Sequence, residues 1–498
     1  MNTASTSIDT GTHDRVAVRR GAPKAPRLLV MSNRAPVRVV RENGKSHVEQ
    51  TVGGVGSTFL RLLHRSGGVW IAWSEGKNQP LRIEMPPDNP HFTMCFTRLS
   101  ERDVSDYYYG ACNQALWPLM HFMTQNCSFD GKQWASYCRV NQIFAKAAEA
   151  ELSSCDCVWV QDFHLALVPR MLRENGRRLP IGIFWHVPWP PEQVFRVLPW
   201  RSDLLRGMLG SDLIGFHTPM YVKHFLDACE RILGLRVDRA NGVVFHDSAA
   251  TKVGAFPLGI AVDDFRNLSM SAPVRARARR IHKSLRTPIV VLSVDRLDYT
   301  KGIEERLLGF ERFLELHPDY RGKVTLVLIA VPSRTRVAEY AALKRRLDEL
   351  VGRMVGRFSF GGWVPIRYLY TQFSTEELVA YYQAADIALV TPLRDGMNLV
   401  AKEYVVSHLG EGGVLILSEF AGAAQELKSA LQVNPYDIDQ IADALYKAME
   451  MPIEERHHRM AQMRRSIESN DLLSWAENFI GVLMKNRRIQ IDAGLSPN

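Results

Sequence analysis

The chain is short of the residues that would make it a secreted or metal-stapled protein. Its 498 residues hold only seven cysteines, an odd number, with no paired C-x-x-C, and Cys155-Asp156-Cys157 lies inside an apolar run rather than at a zinc-knuckle spacing. An oxidised framework wants an even, regularly spaced set, so reduced thiols and a cytoplasmic setting are expected. No H-E-x-x-H occurs, and neither metal nor cofactor is expected. No apolar run approaches the ~18–20 residues of a membrane span, and residues 1–26 lack the apolar stretch of a secretory leader, so no membrane partner is expected.

Several signatures of catalysis and nucleotide binding also fall short. Gly44-Lys45-Ser46 imitates the end of a phosphate loop, but Val39 stands where the upstream glycine belongs. Gly54-Val55-Gly56 lacks the third glycine of a dinucleotide fingerprint, although such a turn suits close backbone approach to a phosphate or sugar. There is no G-x-S-x-G elbow. Charge of one sign is only modestly in excess: 62 Lys and Arg against 53 Asp and Glu, a net +9. Spread over this length it is a weak field, and nucleic acid is not expected as a partner.

What is present is the composition of a folded globular chain, 46% hydrophobic and 23% charged, which excludes a disordered or collagenous one. The length calls for two or three domains at ~100–200 residues each. Continuous apolar runs read as strands buried on both faces: Leu28–Met31, Cys157–Val160, Ile181–Trp185, Asp212–Gly215, Ile289–Val294, Val324–Ala330, Ile387–Val390 and Val414–Leu417. Helical-period stretches lie between them, such as Val337–Val351. The alternation predicts an α/β protein with two Rossmann-like, doubly wound parallel sheets. Residues 1–26 read as a disordered basic tail, 27–265 as a first domain and 266–471 as a second, joined by the arginine-rich stretch 263–287. A closing helix, 472–490, starts at Asn470-Asp471 and is expected to return to the first domain.

In open parallel sheets ligands sit beyond the carboxyl ends of the strands. The residues there are polar, Gly-rich or Pro-rich in both predicted sheets, which describes a cleft between two domains. Arg34, Arg296, Lys301 and Arg334 are fixed cations at strand ends and suit phosphate groups. Asp162, His186, Asp395 and Glu403 are hydrogen-bonding groups in the same loops. Met397–Glu403 reads as a helix start whose free N–H groups add an anion site, with Glu403 one turn in as an acceptor for ribose hydroxyls. Asp437-Ile438-Asp439 reads as a helix cap, not a metal ligand pair.

Taken together, Asn33-Arg34, Gly53-Gly54, Leu116-Trp117-Pro118, Asp162-Phe163-His164, His186-Val187-Pro188, the string Asp295 to Gly302 (DRLDYTKG) and the string Thr391 to Tyr404 (TPLRDGMNLVAKEY) resemble the trehalose-6-phosphate synthases. These are the retaining glycosyltransferases of family 20, with the GT-B fold, and the resemblance runs from about Arg27 to about Gln490. It implies transfer of glucose from UDP-glucose to glucose 6-phosphate, giving α,α-trehalose 6-phosphate and UDP. It further implies that Arg296 and Lys301 hold the donor pyrophosphate, with Gly53, Gly54, Asn398, Leu399 and Glu403 completing the donor site and Phe373 flanking the uracil. Asp395 and His186 would hold donor glucose hydroxyls, and Asp162 would lie near the reacting carbon. Arg34, Tyr108, Trp117 and Arg334 would surround the acceptor phosphate, with Trp73 beside its sugar.

Arg296, Lys301 and a helix N-terminus are suited to stabilise leaving UDP without a metal. No carboxylate nucleophile stands out, which favours same-face attack assisted by the leaving phosphate. The segment 37–52 is long enough for a hairpin turning at Asn43-Gly44. The D-x-D-x-[TV] signature of a phosphatase is missing, so dephosphorylation is expected of a separate trehalose-6-phosphate phosphatase. Members of the family imply a homo-oligomer, a dimer or tetramer. The rival readings are a glucosylglycerol-phosphate synthase, which would use glycerol 3-phosphate, and a catalytically silent regulatory homologue. The nucleotide of the donor, UDP against ADP or GDP, stays open.

Overall fold

A computed structural model of the protein describes residues 25–42, 45–50, 54–73, 80–86, 88–176, 179–247, 249–334, 337–409 and 412–486. Most of the predicted tail and the end of the chain, together with Gly53, Asn43 and Gly44, lie outside the described residues.

All eight predicted strands are present, most of them one to three residues longer or shifted by one. They fall into two sheets. The first has ten strands in the order Arg236–Asp238, Val243–His246, Ala249–Ala255, Leu213–Phe216, Ile181–Phe184, Cys157–Gln161, Leu28–Arg34, Gly68–Trp73, Phe92–Thr97, Arg82–Met85. Its seven middle strands, from Ala249–Ala255 to Phe92–Thr97, pair in parallel. The second is wholly parallel: Ile366–Leu369, Val324–Val331, Ile289–Arg296, Ile387–Val390, Val414–Ser418, Leu431–Val433. In chain order that is 3-2-1-4-5-6, the arrangement of dinucleotide-binding sheets.

Of the strands missed in the sequence, Phe92–Thr97 and Ile366–Leu369 are interrupted by polar residues, so no continuous apolar run marks them, whereas Gly68–Trp73 carries the apolar run Val69–Trp73, of the same kind as the predicted strands. The helix expected over 337–351 runs over Ala338–Phe358 and buries Leu343, Leu347 and Met354. The stretch 263–287 forms two helices, Val262–Met270 and Ala272–Leu285, without a strand. Gly54 opens the helix Gly54–Ser66 directly, where a looser turn was expected before Ser57. Val37–Glu42 and Lys45–Gln50 pair as an antiparallel hairpin, with Val37 opposite Gln50.

The chain crosses between the sheets near Pro257–Ile260 and returns at Asn470-Asp471. There the Asn470 amide donates to the Pro257 carbonyl at 2.6 Å and the Leu472 N–H to the Ile260 carbonyl at 3.1 Å. Asp471 caps the helix Leu472–Lys485 by accepting from the Ser474 N–H at 2.8 Å. This helix lies on the first sheet. Phe479 stacks on Trp159 at 4.5 Å between centroids, and the Trp475 indole donates to the Phe256 carbonyl at 3.2 Å. Glycines at 182 and 215 make room for it, since a Cβ at either would press on the Phe479 ring.

Candidate active site

Each sheet has one place where consecutive strands leave in opposite directions. In the first it lies between Leu28–Arg34 and Cys157–Gln161; in the second, between Ile289–Arg296 and Ile387–Val390. At such a switch point the following loops diverge and leave a crevice. Most of the polar residues singled out above sit at these two crevices, because they immediately follow those four strands.

In the second sheet the Lys301 ammonium donates to the Asp395 carboxylate at 2.5 Å, and both side chains are largely buried. Burial would raise the Asp395 carboxyl, but Lys301, His121 and Asn398 outweigh it and hold it below the usual range. The Asn398 amide donates to the same carboxylate at 3.1 Å, while its own oxygen accepts from the Ala401 N–H at 3.2 Å and caps the helix Leu399–Ser407. That double duty puts Asn398 at φ 77° and leaves the first turn of the helix, starting at Leu399, beside the pair. Glu403, one turn in, accepts from the Tyr382 hydroxyl at 2.7 Å, and burial raises its carboxyl.

Two supporting residues went unassigned in the sequence. Arg306 is fully buried and donates to Asp295 at 2.9 Å, to the Lys301 carbonyl at 2.9 Å and to Thr391 at 3.1 Å, so it ties both loops of the crevice together. Asp298 accepts from the Thr300 N–H and hydroxyl, each at 3.0 Å, from Tyr340 at 3.0 Å and from Arg334 at 2.7 Å. Burial alone would push Asp298 up, yet the Arg334 and Arg296 cations bring it down to about 2. Arg334 is thereby aimed at the first domain despite a positive φ of 45°. The signal for Asp298 was its place inside DRLDYTKG. Arg306 carried none, since helix Ile303–Leu316 reads as an ordinary amphipathic helix.

Across the cleft, Trp117 receives both arginines on its ring, Arg334 with Cζ at 4.0 Å and Arg296 at 5.7 Å from the centroid. Its own indole nitrogen is buried with no partner among the described residues. Arg34 stands at the end of its strand, where a register shift sets it opposite Trp73. Its guanidinium lies 4.8 Å from the Tyr108 ring and 5.5 Å from the Trp73 ring. Tyr108 in turn stacks on His164 at 6.1 Å.

Asp162 sits at φ 68°, with its carboxylate accepting from the His186 N–H at 3.1 Å. Burial pushes the carboxyl up to about 6, and the backbone donors and the Arg296 and Arg334 cations only partly offset it. The His186 Nε2–H donates to the Gln161 amide oxygen at 2.8 Å, and burial holds its imidazole well below its ordinary pKa, so the ring is neutral. The domains touch here: the Tyr221 hydroxyl donates to the Asp395 carbonyl at 3.2 Å, and the His186 carbonyl packs against Gly396.

The structure therefore gathers Arg34, Trp73, Tyr108, Trp117, Asp162 and His186 at the first crevice, and Arg296, Lys301, Arg334, Asp395, Asn398, Leu399 and Glu403 at the second. Phe373 follows the strand Ile366–Leu369 and packs on Tyr381 at 5.1 Å, with no contact to the cation set among the described residues. Gly54 lies at the start of its helix, and Gly53 falls outside the described residues. Among the described residues no group of three or more His, Cys, Asp or Glu is arranged to hold a metal ion, and no helix is long and apolar enough to cross a membrane. Asp437 caps the helix Ile438–Glu450 by accepting from the Gln440 N–H at 2.9 Å.

A family model described as glycosyltransferase family 20 matches residues 26–485. The chain is 38% identical to the α,α-trehalose-phosphate synthase [UDP-forming] of Pichia angusta over 92% of this chain and 99% of that one. It is 38% identical to the corresponding A protein of Dictyostelium discoideum over 92% of this chain, but spans only 62% of that relative's length. A crystal structure of an α,α-trehalose-phosphate synthase (UDP-forming) from Burkholderia xenovorans, in complex with glucose 6-phosphate, matches with a TM-score of 0.85 at 34% identity, covering 92% of this chain and 100% of that one.

Proposed function

The chain belongs to glycosyltransferase family 20 and has its GT-B fold, and we propose that it transfers glucose from UDP-glucose to glucose 6-phosphate, giving α,α-trehalose 6-phosphate and UDP with retention at the anomeric carbon. The observation that carries the reading is the division of the cations. Lys301 stands beside a helix N-terminus in one domain with Arg296 at the end of a neighbouring strand, Arg34 lies against two aromatic rings in the other, and Arg334 reaches between them onto Trp117. Two phosphorylated substrates need two such sites facing one another.

In this reading Arg296, Lys301 and the turn at Asn398-Leu399 take the donor diphosphate, and Glu403 takes the ribose. Arg34 and Arg334 take the acceptor phosphate, with Trp117, Tyr108 and Trp73 around it. The bond from the anomeric carbon to the β-phosphate oxygen breaks, and the charge that develops on the leaving phosphate meets cations already in place. The acceptor's anomeric hydroxyl attacks on the same face, and its proton passes to that phosphate oxygen. Asp162, held as an anion above pH ~6, offsets positive charge on the sugar. Asp395 and the neutral His186 hold hydroxyls of the transferred glucose. No metal enters the scheme, and turnover is expected to survive chelation with EDTA. Product dephosphorylation falls to a separate phosphatase, and the working form is a cytoplasmic homo-oligomer.

The test is a matrix of UDP-, ADP- and GDP-glucose against glucose 6-phosphate and glycerol 3-phosphate, with product stereochemistry read by NMR. Release of UDP with glucose 6-phosphate and an α,α-linked product is expected. Turnover with glycerol 3-phosphate alone would replace the reading with a glucosylglycerol-phosphate synthase, and none at all would make the chain a silent homologue.

A further inference from the structure

His121 is a buried imidazole at the domain boundary that the scheme above does not use. It caps the short helix Trp117–Met120, and only 3% of it is exposed. Its Nδ1 lies 2.7 Å from the Trp117 carbonyl oxygen. A carbonyl can only accept, so Nδ1 carries the proton. Burial, acting against the Trp117 carbonyl and the nearby acids, lowers its pKa to about 4, so the ring stays neutral and Nε2 keeps a bare lone pair. That nitrogen has no partner among the described residues.

On a side chain this little exposed, an acceptor without a protein partner is available to a ligand that can donate to it. Its surroundings limit what that is. The charged groups that bear on it, Asp298, Lys301 and Asp395, all belong to the second domain. They are the residues around the proposed donor site. The ring itself is held still, 4.2 Å from the Trp117 ring, so the lone pair has a fixed direction. A neutral, oriented acceptor beside a Lys–Asp pair suits a hydroxyl group, which can donate to the imidazole and accept from the ammonium. A phosphate oxygen carries no proton to give and would be repelled by the lone pair.

We propose that His121 is a further substrate-binding residue, whose Nε2 accepts a hydrogen bond from one hydroxyl of the transferred hexose when the two domains close on it. The inference rests on the donor-site reading above and names one more contact within it. It also gives His121 a reason to be histidine: phenylalanine would fill the same space against Trp117, but would leave the hydroxyl unpaired and the Trp117 carbonyl with only the backbone N–H of residue 121, at 3.2 Å.

The experiment pairs the enzyme with deoxy donors. UDP-glucose and its 2-, 3-, 4- and 6-deoxy analogues are compared as donors to glucose 6-phosphate with the wild-type chain and with His121→Phe, which keeps the aromatic contact. His121→Gln, which can still offer an oxygen, serves as the conservative variant. For one deoxy position the wild type is expected to lose about tenfold in kcat/KM. In His121→Phe the parent donor loses a similar factor and that analogue loses nothing further, while the other analogues keep their wild-type penalties. His121→Gln restores part of the discrimination. Equal penalties at every position in wild type and variant would overturn the proposal, and coupling to a deoxy acceptor instead would overturn its assignment to the donor. A second readout needs no variant. In wild-type chain labelled with 15N-histidine, the unprotonated Nε2 resonance of His121 should shift on binding of UDP-2-fluoroglucose or UDP-glucose and not with UDP alone. An unmoved resonance in a turnover-competent enzyme sinks the inference. Absence of glucosyl transfer by the wild type would instead sink the donor-site reading, so the two failures are separable.

Discussion

The carbonyl oxygen of His186 occupies the space that a side chain on Gly396 would need, so the two domains meet backbone to backbone at the mouth of the cleft. Gly396 in turn presses on Gly422, whose own Cβ would run into the Gly396 carbonyl. A methyl group at residue 396 would hold the loops of Asp395 and His186 apart. Gly396→Ala is therefore expected to lower kcat by about 10²-fold, as misplacement by about an ångström does, with little change in the melting temperature. Wild-type turnover in a folded Gly396→Ala protein would show that this close approach is not needed for catalysis.

Lys301 and Asp395 form one buried ion pair at the proposed donor site. Lys301→Ala removes a fixed cation from the leaving phosphate and is expected to cost about 10²–10³ in kcat, with a weaker calorimetric affinity for UDP. Asp395→Asn keeps the shape but frees the ammonium, and is expected to lower kcat while UDP binds at least as well. Equal losses of UDP affinity in both variants would argue against this division of labour.

The acidity of Asp162 makes a pH prediction. Its carboxyl is raised to about 6, above the ordinary aspartate value, so the anion is present above that pH and is lost as pH falls through it. Turnover should fall with it. Stability moves the other way, because the buried anion costs stability above about pH 6 and the cost is relieved as pH drops toward 4. Sugar phosphates also titrate near pH ~6, so the limb is best read on slow donor hydrolysis without acceptor. It should vanish in Asp162→Asn.

Arg334 has two consequences because it is bonded to Asp298. Arg334→Ala should raise the acceptor KM about tenfold or more while leaving the donor KM nearly unchanged. It should also alter acid stability. With Asp298 at about 2 in the folded chain, its ionisation stabilises above pH 4 and is lost as pH falls toward 2, a contribution of about 2 kcal/mol. The variant should lack that limb in acid-denaturation curves.

Arg306 touches no proposed substrate site, yet it holds the Lys301 turn and neutralises buried Asp295 at 2.9 Å. Arg306→Met leaves that carboxylate uncompensated, and a loss of about 3–5 kcal/mol is expected, lowering the melting temperature by roughly 10 °C. A stable Arg306→Met protein would show that the network is dispensable.

Much of this was legible in the chain itself. Continuous apolar runs such as Ile387–Val390 mark strands covered on both faces, because such strands have no solvated side to make polar. The cations and acids that follow them mark the cleft, because ligands collect at carboxyl ends of parallel strands. Strands with polar breaks, such as Phe92–Thr97, were not legible, since what makes them strands is their neighbours.

The class of fold, two parallel sheets facing a cleft, and most of the side chains that line it therefore follow from the order of residues alone. The tertiary structure alone decided which of those side chains meet. Asp298 lies 36 residues from Arg334, Lys301 lies 94 from Asp395, and Trp117 belongs to a different domain from the arginines on its ring. Local pattern records burial and backbone preference within a few residues. Strand order and the packing of one domain on the other set partners across such separations, and with them the charge state of Asp162 and the unpaired nitrogen of His121.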